Sequence, residues 1–225
     1  MAIQLKRTAN VSADGVKILV YGQGGSGKTT LIKTLPNPVI LSAEGGLLSL
    51  ADTDIPYIEV TDMLSLREAY QWATESEEAA QYESIALDSL SEIAEVVLSA
   101  EKKQSKDPRQ AYGALQDTMG EMIRAFRDIR GKHVYFSAKL EKQQDEQGRV
   151  LYSPSMPGNK LAQSLPYFFD LVFALRAEKD SEGVLQRALM TETDGLWQAK
   201  ARTVEGKRLQ AYEAPDIGEV IRKLS

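Results

Sequence analysis

The sequence predicts an α/β fold in which a mostly parallel central sheet carries helices on both faces and an antiparallel hairpin near the C-terminus. Two observations predict it. Short apolar runs of strand length alternate with stretches whose apolar residues recur at helical spacing, and parallel neighbours need crossovers that are usually helices. After about residue 183 the pattern changes to two runs separated by Asp194-Gly195, the mark of a tight turn.

Lys17 to Tyr21 is a compact apolar run ending in glycines and reads as the first buried strand. Further strands are expected at Pro38 to Ser42, Tyr57 to Val60, Ser84 to Asp88, His133 to Ser137 and Leu171 to Leu175. Between them, Ser65-x-x-Glu68 has the form of a capping box, with Leu66, Ala69, Tyr70 and Ala73 at helical spacing. Ile93, Val96, Val97 and Ala100 form another stripe, and Tyr112, Leu115, Met119, Met122, Ile123, Phe126 and Ile129 line a long helix ending before Gly131. The late hairpin is expected to pair Arg187 to Thr193 with Leu196 to Arg202. Residues 1–15 read as a short polar extension, and residues 141–163, rich in Gln, Gly, Pro and charge, as a long loop. Tyr167-Phe168-Phe169-Asp170 reads as an apolar approach to a buried strand.

The 225 residues, 43% apolar and 26% charged, suit one domain spanning 1–225. The absence of cysteine rules out disulfides and thiolate metal sites, and a reducing cytoplasm is the expected compartment. No window approaches the roughly 18 to 20 apolar residues of a membrane span. A net charge of −5 means that any nucleic-acid contact must use a local basic patch.

Gly22-Gln23-Gly24-Gly25-Ser26-Gly27-Lys28-Thr29 satisfies G-x-x-x-x-G-K-[ST], after an apolar strand and before a helical segment beginning at Thr30. The glycines let successive N–H groups face phosphates, Lys28 reaches the β and γ oxygens, and the Thr29 hydroxyl serves Mg²⁺. The P-loop therefore predicts a nucleoside triphosphate. N-K-x-D is missing, which favours ATP over GTP. Asp88, ending its strand, is the acidic residue expected to hold the Mg²⁺. Glu44, just past the second strand, is the candidate base that positions water opposite the γ-phosphate. His133, the only histidine, starts a strand and is not read as catalytic.

Val39-Ile40-Leu41-Ser42-Ala43-Glu44 after the P-loop segment, Ile85-Ala86-Leu87-Asp88-Ser89, and a late run ending Lys200-Ala201-Arg202 resemble, in order and spacing, the RecA-like P-loop ATPase core. Within it, the chain is most similar to the small phage nucleotide-binding proteins that include single-strand annealing recombinases. The resemblance implies Glu44 as base and a polar sensor after the fifth strand, where recombinases use glutamine and this chain has Lys139. It also implies that Lys200 and Arg202 reach a neighbour's ATP. By the same resemblance, 141–163 falls where recombinases contact DNA, with Lys142, Arg149, Tyr152 and Lys160 as the contacts. The partners implied are single-stranded DNA, further copies in a ring or filament, and a single-strand DNA-binding protein, with no membrane; a phage-encoded chain would work in the host cytoplasm. Two alternatives stay open at this point: a small-molecule P-loop kinase, for which Arg149 is the only lid arginine, and a non-hydrolysing module that recruits replication or packaging proteins.

Overall fold

A computed structural model describes residues 15–105, 107–203, 205–206 and 208–225. The expected N-terminal extension therefore lies, but for Gly15, outside the described residues. The strands are β1 (Lys17–Gly22), β2 (Pro38–Ser42), β3 (Tyr57–Glu59), β4 (Ser84–Asp88), β5 (His133–Gln144), β6 (Val150–Pro154), β7 (Leu171–Lys179), β8 (Leu185–Met190), β9 (Lys200–Ala201) and β10 (Tyr212–Glu213). The helices are α1 (Met63–Glu75), α2 (Glu77–Ala80), α3 (Leu90–Gln104), α4 (Pro108–Arg127), α5 (Asn159–Ser164) and α6 (Ile217–Leu224).

The sheet runs β10-β8-β7-β1-β5-β4-β2-β3, parallel from β7 to β3 and antiparallel at β8 and β10. Alternation along each strand sends successive side chains to opposite faces, and here both faces are buried. Leu19, Tyr21, Leu41 and Leu87 pack with α1, α3 and α4 on one face. Ile18, Val20, Ile40, Ala86 and Tyr135 pack with Ile217, Val220 and Ile221 of α6 on the other. The long α4 begins as its sequence directs, with Pro108 in the first turn and the Asp107 carboxylate accepting from the Arg109 N–H at 2.9 Å.

Several expectations are corrected. Residues 141–163 are no long loop: β5 continues to Gln144 and pairs antiparallel with β6, and α5 follows. Polar composition hid this ribbon, because its order comes from tertiary support; the Tyr152 ring stacks on Trp197 at 4.1 Å and the Tyr21 hydroxyl donates to the Tyr152 carbonyl at 3.1 Å. The hairpin pairs β7 with β8, not Arg187 to Thr193 with Leu196 to Arg202, and β9 lies along the first half of β7. Asp194-Gly195 does turn the chain, through the Asp194 carboxylate accepting from the Leu196 and Trp197 N–H groups at 2.9 and 2.8 Å, but that turn leads out of the ladder. The cap of α1 is Asp62, with Ser65 as its reciprocal partner rather than the cap itself. After the P-loop there is only a 3₁₀ segment, Thr30–Thr34. Tyr167 is 77% exposed; within its apolar run Phe169 is the buried residue.

Candidate functional site

β1 delivers the chain to Gly22, where a Cβ would stand 2.7 Å from the Ser26 hydroxyl and 2.9 Å from the Leu175 carbonyl, so no larger residue fits. Gly25 and Gly27 then hold φ values of +76° and +105°, the left-handed region that only glycine enters freely. The loop curls, and the Lys28 ammonium folds across it, donating to the Gly22 and Gln23 carbonyls at 3.0 Å each. The Tyr135 hydroxyl fixes the far side, donating to the Lys28 carbonyl at 2.8 Å. Burial pulls the Lys28 pKa down, and the nearby Glu44 and Asp88 carboxylates oppose that shift. The residues expected to cradle phosphate, from Gly22 through Thr30, thus form one continuous loop and turn.

Asp88 is 1% exposed at the end of β4. Its Oδ2 accepts from the Thr29 hydroxyl at 2.7 Å, and its Oδ1 accepts a short hydrogen bond from the Ser137 hydroxyl. A buried carboxylate needs such donors. The following Asp88-Ser89 peptide bond is cis, and Ser89 caps α3 by accepting from the Glu92 N–H at 3.4 Å. Ser137 is a site residue that the sequence reading missed; it lies within β5 beside the end of β4, since Leu87 is in register with Phe136.

Glu44 lies exposed in the turn after β2, held beside Asp88 because the Ala43 and Glu44 N–H groups donate to the Asp88 carbonyl at 2.8 and 3.4 Å. Lys139, two residues beyond Ser137 on β5, is paired to Glu92, and that hydrogen bond holds its pKa up, with Glu44 adding to the effect. The structure therefore brings Lys28, Thr29, Glu44, Asp88 and Lys139 together at one edge of the sheet. Arg187, also missed in the sequence, joins them from β8. Its Nε donates to the Ser26 carbonyl at 2.8 Å, and it lines a cavity of about 210 Å³ with Gly27, Thr30, Leu31, Lys33 and Thr34.

The donor set fits a hydrated magnesium ion. Thr29 and Asp88 supply hard oxygens, and the Ser42 hydroxyl beside them is buried without a hydrogen-bond partner among the described residues. Mg²⁺ prefers one or two protein oxygens with phosphates and waters to an all-protein cage.

Lys200 and Arg202 lie elsewhere. Lys200 is opposite Val172 and Ala201 opposite Leu171, at the start of β7, while the P-loop follows the end of β1. Only Lys200 is in a strand. The Arg202 guanidinium donates to Asp170 at 3.2 Å, and the Lys200 ammonium stands 5.8 Å from the Tyr167 ring centre. Of the expected DNA contacts, Lys142 lies over the Tyr152 ring, Tyr152 is stacked, Arg149 is paired with Asp145 near the hairpin tip, and Lys160 is exposed on α5.

Among solved structures, the chain is similar to a KaiC-like protein from the archaeon Pyrococcus horikoshii, with 15% identity over 79% of this chain and 78% of that one and a TM-score of 0.42. It is also similar to an ATPase of the type III secretion system of pathogenic bacteria, with 14% identity, 72% of this chain covered and a TM-score of 0.49; this chain spans 51% of that one. No curated protein sequence matches. Among the described residues, no helix is long and apolar enough to cross a membrane. The AAA-domain family matches residues 14–203, a span that contains the P-loop, Glu44, Asp88 and Lys139. The chain accordingly belongs to the AAA-domain family and is a P-loop ATPase.

Proposed function

We propose that the protein hydrolyses ATP with Mg²⁺ at a site completed by a neighbouring copy, and uses that cycle to anneal or pair single-stranded DNA. The observation that carries the catalytic part is the bridge from Thr29 through Asp88 to Ser137, which joins the P-loop, β4 and β5 at one point. Thr29 and Asp88 would hold the metal, which neutralises charge on the phosphates and orients them. Lys28 leaves the Gly22 and Gln23 carbonyls for the β and γ oxygens. Glu44 accepts a proton from the attacking water, and Lys139 senses the γ-phosphate by exchanging Glu92 for it. The cavity beside Thr30 and Arg187 receives the nucleoside.

Assembly is supported by distance. Arg202 follows the residue paired with Leu171, which stands beside Ile18, and Gly22 lies four residues further along β1. Arg202 itself is one step further, level with Lys17, so at ~3.3 Å per residue the separation from Gly22 along the sheet is about 17 Å, which favours Arg202 serving another copy's nucleotide rather than its own. The DNA reading is supported by resemblance and by Lys142 and Lys160, which form no ion pair among the described residues. A single-strand DNA-binding protein would be a further partner in such a reaction. The test is ATP turnover with and without single-stranded DNA, together with annealing of complementary strands, for wild type, Lys28→Ala and Glu44→Gln. Wild-type protein that neither retains nor anneals DNA would sink the recombination reading and leave the ATPase standing.

A further inference from the structure

Ser42 ends β2 in register with Asp88 of β4. Two residues earlier, Ile40 and Ala86 are likewise in register and both belong to the core on the α6 side of the sheet. Alternation therefore sends Ser42 and Asp88 to that same side, where Thr29 meets Asp88. Ser42 is 5% exposed, yet its hydroxyl has no hydrogen-bond partner among the described residues. A buried hydroxyl without a partner is destabilising, commonly by about 1–3 kcal/mol, and native proteins rarely keep one without a use for it. Strands in register run ~4.8 Å apart, so Ser42 and Asp88 stand side by side on that face without a hydrogen bond between them. A water can satisfy both of two neighbouring polar groups that do not bond each other directly.

We propose that Ser42 is a positioning residue of the metal–phosphate site, its hydroxyl binding a water of the hydrated divalent cation held by Thr29 and Asp88. The inference rests on the metal reading above. Mg²⁺ gives up its waters reluctantly, so those waters need protein partners, and a serine hydroxyl both donates and accepts. Glu44 follows two residues later in the same turn, so the hydroxyl also ties the metal's shell to the strand that carries the base.

The test uses the full chain with a non-hydrolysable ATP analogue and Mn²⁺ as the probe metal, its binding read by electron paramagnetic resonance. The variants are Ser42→Ala, Ser42→Cys, which keeps the size without a strong hydrogen-bonding group, and Asp88→Asn as the control for the metal site. Loss of an outer-shell partner weakens metal affinity ~10- to 100-fold, and a weakening of at least about tenfold is expected in both Ser42 variants. Affinity for the analogue in excess chelator should stay at the wild-type value. The metal-free, nucleotide-free Tm should be unchanged or higher, because an unsatisfied group has been removed. Wild-type Mn²⁺ affinity in both Ser42 variants, with Asp88→Asn weakened, overturns the role of Ser42 and leaves the metal site intact. Undiminished Mn²⁺ affinity in Asp88→Asn overturns the metal reading and this inference with it. A lower Tm without metal in both Ser42 variants shows the hydroxyl to be structural and also overturns it.

Discussion

The Thr29 hydroxyl donates to the Asp88 carboxylate at 2.7 Å, so the residue that closes the P-loop and the residue that ends β4 are in direct contact. Part of the ordering that catalysis requires is built into the fold, and less of it has to be supplied by binding.

Lys28→Ala removes the only lysine of this loop, whose ammonium spans its two carbonyls. ATP turnover should fall on the order of 10²-fold or more. Nucleotide binding, followed with a fluorescent analogue, should weaken in parallel. Unchanged affinity would refute the P-loop assignment.

Ser137→Ala strips one of the two hydroxyls that Asp88 accepts from. Hydrogen bonds to charged groups contribute ~1.5–3 kcal/mol, so urea denaturation should report a loss of about 2 kcal/mol, and the Mg²⁺ concentration for half-maximal turnover should rise. A variant as stable as wild type would place the support of Asp88 elsewhere.

His133 sets a pH limit on stability. Its Nδ1 accepts from the Val16 N–H at 3.1 Å, which requires the neutral ring; burial depresses its pKa, Lys17 adds to the shift and Glu83 opposes it. With the folded pKa below the unfolded value of ~6.5, the unfolded chain binds the proton more readily. The contribution is full above that value and is lost as pH falls through the folded pKa. Thermal melts should decline from pH 7 toward 5, and His133→Asn should flatten that slope.

Mixing inactive variants tests the shared site. Lys28→Ala subunits keep Arg202 and Arg202→Ala subunits keep the P-loop, so a mixture should recover turnover that neither has alone. The Arg202–Asp170 pair is exposed on both sides, and its loss should leave Tm nearly unchanged. A mixture as inactive as its components counts against delivery from a neighbour.

What could be read from the chain followed how local each signal is. The P-loop is one contiguous run, and Asp88 ends a buried strand, so both were visible without a fold. Ser42, Ser137 and Arg187 enter the site through strand order and register, which no single stretch encodes; Arg187 reaches Ser26 across 161 positions. The ribbon of β5 and β6 was misread as a loop because its stabilising partners, Tyr21 and Trp197, lie far away in sequence. The late hairpin was misplaced because Asp180 to Gly183 and Asp194-Gly195 both have turn chemistry, and only pairing with β7 selects the first. Lys200 and Arg202 are distant from their own P-loop, a fact that depends wholly on where β9 docks.

β5 runs unbroken from His133 to Gln144, carrying Ser137 at Asp88, then Lys139 at Glu92, and then the strand that pairs with β6. The same strand is thus both a wall of the phosphate site and the shaft of the protruding ribbon, with no joint between them. Ser137, Lys139 and the ribbon residues that pair with β6 share one continuous backbone ladder, so the position of the ribbon and the support of Asp88 are set by the same strand.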